Sequence, residues 1–583
     1  MLARRDFLKT LALPVVGSLA PLAAQPRPDC WLEVIVPFLA HDPAQNWSSS
    51  LLMPSATFAG RGGFLDRSSG SDYEILGYRA DGSALKAAEQ RLALAPMQTT
   101  LLDCSQLFPT EKAFWGAARI RILPRVDGIP HHPDLFSAAY VRWDLEGRFS
   151  NLHANPHPPQ LQRGQYYAAM PFPPVVGERP LLSLFNPQPG TSRGEIRLYD
   201  PDGTVIERSP YEIEAYHSRL WDLSTGKFSD DAALLWKHPR QGAGTKRLAR
   251  GGSVLISNQP DTPKLFAFLL LHDRGRALVT EHPIYQGGYE IIPAPEQPFD
   301  AAGRFRPVGF YFCPLFFSGW KSRGLTFSSR VHFGVGRPPE DPQWMQPFAC
   351  GSEGQVVWTT AQDADFQERE SARVEKGLLR LRPYQSVTLD ARQLPLPSEF
   401  PGGLAVATAP ATNHTLMKIE VDVAEWGLRT LSHFRPGSAS SRKLKALAGR
   451  DSLISDYIVS GVRLERKDGE QRWDSLLAIM NIEFEEHEGR PVLQLFDRGR
   501  LLASKTLPSM PPLACRHYWA SDLFPGTESA GDRVFSIRLM DDTAVVVVSA
   551  LHVDFKRRQL AIDHGSDRFS TFLDYSCSAA TKY

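Results

Sequence analysis

Four histidines recur at the ends of matching segments of this chain. His153 ends LFSAAYVRWDLEGRFSNLH and His282 ends LFAFLLLHDRGRALVTEH. His433 ends LMKIEVDVAEWGLRTLSH, and His564 ends VVVVSALHVDFKRRQLAIDH. A neutral imidazole ligates divalent metals and a protonated one pairs with anions, so four rings brought to one axis would form a metal or anion site. The plainer alternative carries more weight. A histidine that closes a strand and bonds a nearby backbone group, copied with its ancestral segment, gives the same pattern with no site at all.

Each histidine follows an aspartate across a short charged turn: Asp144, Asp273, Asp422 and Asp554, at spacings of 9, 9, 11 and 10 residues. An Asp–His pair is the raw material of acid–base chemistry. Here the aspartates fall beside the turn and the histidines at the far ends of the strands, so the hairpin keeps the two apart. Turn stabilisation is the better role for the carboxylates.

The histidines stand 129, 151 and 131 residues apart. That period is too long for a solenoid repeat and suits a whole small domain. Upstream of each hairpin lies a third apolar strand: AARIRIL, GSVLISNQP, GLAVATAP and DRVFSIRL. Before it comes a segment holding Asp103, Asp222, Asp390 or Asp522. Three copies also carry a hairpin-type turn, at Asp81-Gly82, Asp202-Gly203 and Asp497 to Gly499, where glycine accepts a positive φ. The third copy shows no equivalent, and its longer step predicts an insertion. Alternation such as Arg197-Leu198-Tyr199 and Val421-Asp422-Val423 marks strands with one buried face.

These signals predict an all-β chain of four tandem antiparallel β-sandwich modules, over residues 28–155, 156–300, 301–436 (with the insertion) and 437–583. A pseudo-fourfold ring and a string of modules both satisfy the pattern. Helical patterning is confined to short stretches such as Ala84 to Gln90 and Ser441 to Leu447.

Residues 1–24 read as a twin-arginine signal peptide: Arg4-Arg5, then a broken apolar run, with cleavage expected near Ala24. The expected location is periplasmic or secreted, with no transmembrane anchor in the mature chain. A net charge of +1 demands no basic face, so nucleic acid is not an expected partner. Six cysteines, at 30, 104, 313, 350, 515 and 577, leave disulfide pairing open, and a Cys30–Cys104 bridge inside the first module is one option.

Other motifs are weaker. His153 and His157 form H-x-x-x-H, but Pro156, Pro158 and Pro159 forbid the helix that would align them. His131-His132 sits in loop sequence. Ser318 to Lys321 and Ser440 to Lys443 match S-x-x-K without the partner motifs of an acyl-enzyme. GAGTK at 242–246 lacks phosphate-loop spacing. The aromatic run GFYFCPLFFSGW from Gly309 to Trp320 suits core or inter-module packing better than stacking on sugar.

Cys30-Trp31, GSVLISNQP at 252–260, and the hairpin from VVVVSALHVD to LAIDHGSDRFSTFLDY give the repeat a resemblance to the small β-sandwich of the sensory rhodopsin transducer family. Members of that family are single modules assembled as fourfold tetramers. The resemblance implies an all-β module with a ligand- or partner-binding surface, and four fused modules would imitate the tetramer in one chain. It brings no catalytic residues, and an export signal sets this chain apart from the family's cytoplasmic setting.

The function expected is an exported, non-enzymatic binding or scaffold protein whose ligand is a sugar, a small anion or a protein, with His153, His282, His433 and His564 as candidate ligand-binding residues. One alternative is an exported enzyme acting on an envelope glycan or similar polymer. Another is a metal-binding accessory protein using the repeated histidines. No motif names a cofactor, and metal content and oligomeric state stay open.

Overall fold

The computed structural model describes residues 32–54, 71–87, 91–95, 97–122, 140–145, 148–153, 155–157, 167–175, 178–230, 248–273, 277–281, 284–286, 301–302, 309–335, 343–359, 373–375, 378–409, 415–433, 436–437, 454–483, 487–529, 533–564 and 566–567. They are overwhelmingly antiparallel strand, with helices of four residues at Cys104–Leu107 and Ala520–Leu523. The all-β expectation is met. None of the described helices is long and apolar enough to cross a membrane.

One strand order appears four times along the chain. In the first sandwich, one layer runs Asn155–His157, Leu32–His41, Phe114–Ile122, Ser71–Arg79. The facing layer runs Thr99–Asp103, Trp47–Pro54, Tyr140–Leu145, Arg148–His153. The second sandwich repeats this with Ile284–Gln286, Tyr167–Phe172, Gly252–Asn258, Ser192–Tyr199 facing Ser218–Asp222, Arg179–Phe185, Phe266–Asp273, Ala277–Glu281. The fourth repeats it with Ser566–Asp567, Ser455–Val462, Phe535–Asp541, Val492–Asp497 facing Cys515–Trp519, Glu470–Asn481, Val546–Asp554, Gln559–His564. In the third, Gly309–Ser322 turns straight back into Leu325–Val335, so both layers stay hydrogen-bonded as one sheet of 11 strands.

Alternation explains the layers. In Leu32–His41 the fully buried Val34 and Val36 pack with Leu51, Met53, Val141 and Trp143 of the facing layer. Such a two-sheet core, closed by side chains from both inner faces, is what hairpins with one apolar face form. The aromatic run of the third sandwich is packing, as expected: Phe316 and Phe317 are buried in its core, and Phe312 joins the core of the fourth sandwich.

Three readings are corrected. Ala84–Leu85 is a strand paired with Gly77 and Tyr78, not the start of a helix; tertiary pairing overrides the helical propensity of a short stretch. Residues 441–447 lie outside the described residues. The third copy does have the missing turn, Cys350 to Gln355, with Gly354 at φ 78. The structural counterpart of Asp103 in the fourth sandwich is Trp519 rather than Asp522: each precedes a four-residue helix, Cys104–Leu107 or Ala520–Leu523.

Consecutive sandwiches meet through one repeated contact. A non-glycine residue in the left-handed region stands six residues before Asp103, Asp222, Asp390 and Trp519: Met97 (φ 58), Tyr216 (φ 64), Tyr384 (φ 64) and Leu513 (φ 61). Such backbone strain persists only where packing fixes it. Tyr216 stacks on Tyr78 at 4.9 Å, and Tyr384 stacks on Tyr199 at 4.3 Å. Two residues further on, the backbone N–H of Ser218 donates to Ala80 O at 2.9 Å, that of Ser386 to Pro201 O at 3.0 Å, and that of Cys515 to Gly351 O at 3.4 Å. These join the first sandwich to the second, the second to the third, and the third to the fourth.

The first and fourth sandwiches also touch. Met97 packs with Ile458 and Phe496, and the Thr99 hydroxyl lies 2.5 Å from that of Ser536. The last strands of the four hairpins are in contact in cyclic order: Arg148–His153 touches Ala277–Glu281 and Gln559–His564, and Leu428–His433 touches the same two.

Candidate functional site

The seam between the two ends of the chain holds a cleft of about 680 Å³. Its first wall comes from a tight turn. Leu32–His41 ends at Asp42, whose carboxylate accepts the backbone N–H of Ala44 at 3.0 Å. Pro43 fits the start of the 3-10 turn because it gives up no needed donor. Asn46, at φ 54, then swings the chain back so that Trp47 pairs with Asp42, each backbone N–H donating to the other's carbonyl at 3.0 Å. Along the next strand Ser50 donates its hydroxyl to the Asp103 carboxylate. Arg142 and Asp144 enter from the hairpin strand beside it, paired opposite Ser50 and Ser48.

The second wall comes from about four hundred residues later in the chain. Arg463, Glu465, Arg472 and Trp473 surround the entry to Glu470–Asn481, and Asp554, Lys556 and Arg557 form the turn of the last hairpin. Arg557 Nη1 donates to Asp144 Oδ2 at 2.6 Å and joins the walls. The Arg142 and Arg463 guanidiniums lie 5.4 and 4.8 Å from the centre of the Trp473 indole, one from each wall. Arg142 also lies 3.9 Å from the Asp144 carboxylate, so the stacked guanidinium belongs to the charged network of the first wall.

Two buried polar atoms on the cleft lining have no hydrogen-bond partner among the described residues: His41 Nδ1 and Asp554 Oδ2. Asp554 Oδ1 accepts the backbone N–H of Arg557 at 2.9 Å, and the nearest cation to Oδ2 is Arg557 Nε at 3.8 Å. Burial pushes the Asp554 carboxyl above the usual carboxylate range, against the pull of Arg557. His552, behind the cleft, bonds Ser475 Oγ at 2.9 Å through Nδ1. Burial, with the charges of Arg463 and Arg142, depresses its pKa to about 3.

A smaller cleft of about 360 Å³ lies between the second and third sandwiches. Its charges answer one another. Arg330 pairs with Asp390 at 3.1 Å and with Glu420; Arg429 pairs with Glu420 at 2.8 Å and with Glu178 of the second sandwich at 2.7 Å. This network ties the two sandwiches and leaves little to offer a ligand.

The repeated residues of the sequence fall as follows. His153, His433 and His564 are the last residues of Arg148–His153, Leu428–His433 and Gln559–His564, three of the four mutually touching strands. Their side chains, and His282 altogether, lie outside what the structure describes. Pairing register separates them from their aspartates, as expected. His153 faces Tyr140 while Asp144 faces Phe149, and His564 faces Ser549 while Asp554 faces Gln559. Asp144 and Asp554 do more than hold turns, for both line the end-to-end cleft. Asp422 is a further departure: part-buried, it has a raised pKa, from burial first, with Arg392 3.7 Å away.

Among the described residues no group of three or more His, Cys, Asp or Glu is placed to hold a metal ion. Cys104 is a free, buried thiol, while Cys30 lies outside the described residues. His157 sits in a strand paired with Leu32–His41; His131-His132, Ser440 and GAGTK lie outside the described residues. Ser318 donates to Ala391 O at 3.1 Å and Lys321 pairs with Glu399 at 3.1 Å, so that S-x-x-K match is spent on the fold. Sequence reasoning did not find His41, Arg142, Arg463 or Trp473. Trp473 stands at the register position of Trp47 and Phe327, each opposite the last residue of its hairpin's first strand, but no spacing in the sequence marks that position. No protein-family model matches the chain, and no curated protein matches its sequence.

Proposed function

We propose that this is an exported, non-enzymatic binding protein whose four related β-sandwich modules close head to tail, and whose ligand sits in the cleft where the ends meet. The observation that carries the reading is the composition of that cleft. Both ends of the chain build it, two guanidiniums are held over one indole, and two residues of its lining carry buried polar atoms with no hydrogen-bond partner among the described residues. Buried polar atoms without partners are rare in folded proteins and mark places where something else completes them. A volume of this order is that of small-molecule sites.

The cyclic contacts of the four hairpin strands, and the contacts of Thr99 with Ser536 and Arg557 with Asp144, support the ring over the string. A ring of four like modules in one chain is also what the resemblance to the transducer family implies. The signal-like residues 1–24 support export.

The test is a thermal-shift screen of the mature chain against neutral sugars, sugar acids and small inorganic anions, beside a Arg472→Ala/Lys556→Ala variant of the cleft rim. The reading predicts one class that raises the melting temperature saturably, with a weaker shift in the variant. Equal shifts in both proteins would place binding elsewhere.

A further inference from the structure

Three of the four seams carry one clasp, and among the described residues the fourth has no copy of it. The outer turns of the first three sandwiches each hold three residues between paired ends: Arg79 and Ser83, Asp200 and Thr204, Gly351 and Gln355. Each turn, through the carbonyl of Ala80, Pro201 or Gly351, accepts a backbone N–H of the next sandwich. The turn of the fourth sandwich holds two residues, Arg498 (φ 49) and Gly499 (φ 84), between Asp497 and Arg500. Two left-handed residues make the tight hairpin connection. Among the described residues no backbone hydrogen bond joins this shorter turn to the first sandwich. Thr99, two residues after Met97 as Ser218, Ser386 and Cys515 follow their own strained residues, meets the hydroxyl of Ser536 instead.

Apolar contact divides the seams in the same way. Leu181, Leu220, Phe268 and Leu270 of the second sandwich belong to the core of the first. Leu431 of the third reaches the core of the second, and Tyr384 packs with Ala169, Tyr199 and Leu255. Leu476, Trp519, Leu551 and Ile562 of the fourth belong to the core of the third. Between the fourth and the first, the shared apolar cluster among the described residues is Met97, Ile458 and Phe496. Beside it lies the cleft, bridged by the exposed Arg557 and its partner Asp144. Separating two surfaces costs in proportion to the apolar area exposed, and an exposed ion pair adds little. The chain runs from sandwich to sandwich across the other three seams, and no peptide link crosses this one.

We infer that the ring opens and closes at the seam between the first and fourth sandwiches while the other three hold, which makes this seam the gate of the cleft. The inference rests on the ring reading above. Opening parts Arg557 from Asp144 and Arg142 from Trp473, pairs that face each other across the two walls. A ligand held by both walls binds the closed ring alone and slows the opening.

Thiol labelling tests this at four equivalent buried positions: Thr99→Cys, Ser218→Cys and Ser386→Cys, with the native Cys515 as the fourth. Each rate is taken by peptide mass spectrometry at neutral pH and set against its rate in the denatured chain. Thr99→Cys is expected to be protected in the folded protein, yet to label about tenfold or more faster than the other three. Hydrogen exchange of the native chain repeats the comparison without substitution, and Thr99–Asp103 should lose protection before Ser218–Asp222, Ser386–Asp390 and Cys515–Trp519. Labelling of Thr99→Cys at the rate of the other three, or equal protection of the four strands, overturns the gate and leaves the ring. Labelling of Thr99→Cys at the denatured rate in a chain that circular dichroism shows to be folded means that the ends do not meet, and overturns the ring with the gate.

Discussion

Arg557 Nη1 donates to Asp144 Oδ2 at 2.6 Å across 413 residues of chain. Asp474, by contrast, is wholly buried and takes the Arg323 guanidinium of the third sandwich together with the hydroxyl and backbone N–H of Ser521. The two ion pairs join sandwiches in the same way but at very different depth. Arg557 is 43% exposed, so Arg557→Ala should lower stability by less than about 1 kcal/mol. Arg323→Ala strands a buried carboxylate and should cost about 3 kcal/mol. Urea denaturation of the two variants checks the order, and equal losses would contradict it.

The glycines of the outer turns are fixed by the seams. Gly203 (φ +83) and Gly354 (φ +78) both sit in the left-handed region against a neighbour's carbonyl. A Cβ on Gly203 would meet Pro383 O at 3.0 Å, and one on Gly354 would meet Pro512 O at 2.0 Å. Gly203→Ala should cost about 1–2 kcal/mol, mostly from φ. Gly354→Ala must also part the third and fourth sandwiches, and should cost about 3 kcal/mol or more. Melting curves of the pair read the difference.

Acid sensitivity has two origins, one of which sets in at higher pH than the other. His552 titrates at about 3 in the folded protein, because it is buried and lies near Arg463 and Arg142. Unfolded, it protonates near its ordinary value of about 6.5. Between those values the unfolded chain holds the extra proton, so stability falls as pH falls, by up to about 1.4 kcal/mol per unit. Burial raises the pKa of Glu420, but Arg429, His332 and Arg330 outweigh it and hold the carboxyl at about 2. Its contribution is complete above the ordinary carboxylate value and is lost as pH falls through about 2. Denaturation midpoints between pH 7 and pH 4 should therefore drop in the native chain and drop less in His552→Asn. Parallel curves would show that His552 is not the group responsible.

Cys104, Cys313, Cys350 and Cys515 are free thiols that burial pushes up in pKa, Cys350 to about 12. The thiolate is the reactive form. A thiol reagent at neutral pH should leave these four unmodified in the folded protein and modify all four after denaturation, as peptide mass spectrometry would show. Modification of the folded protein at any of them would contradict the packing.

The hairpins were legible because strand signals are local. Apolar alternation, a polar turn and a closing histidine lie within twenty or so residues, and each of the four segments forms the hairpin expected. The third outer turn was not legible because its glycine, Gly354, follows Glu353 rather than aspartate, although the same seam contact demands it. The strained residues Met97, Tyr216, Tyr384 and Leu513 share a backbone conformation, but only Tyr216 and Tyr384 share a side-chain type, so side-chain identity does not mark the position. The cleft was the least legible feature. His41 and Trp47 stand beside a turn near one end, and Arg463 and Trp473 near the other. Only the meeting of the first and fourth sandwiches gives their types a shared purpose.

That meeting is the central claim, and Thr99 and Ser536 test it most directly. Their hydroxyls are 2.5 Å apart, close to the separation a disulfide needs, and 437 residues separate them along the chain. Thr99→Cys/Ser536→Cys should cross-link under mild oxidation, giving a faster, reductant-sensitive band on a denaturing gel that neither single variant shows. A double variant that folds and remains uncross-linked would mean that the ends do not meet, and the cleft between them would go with the ring.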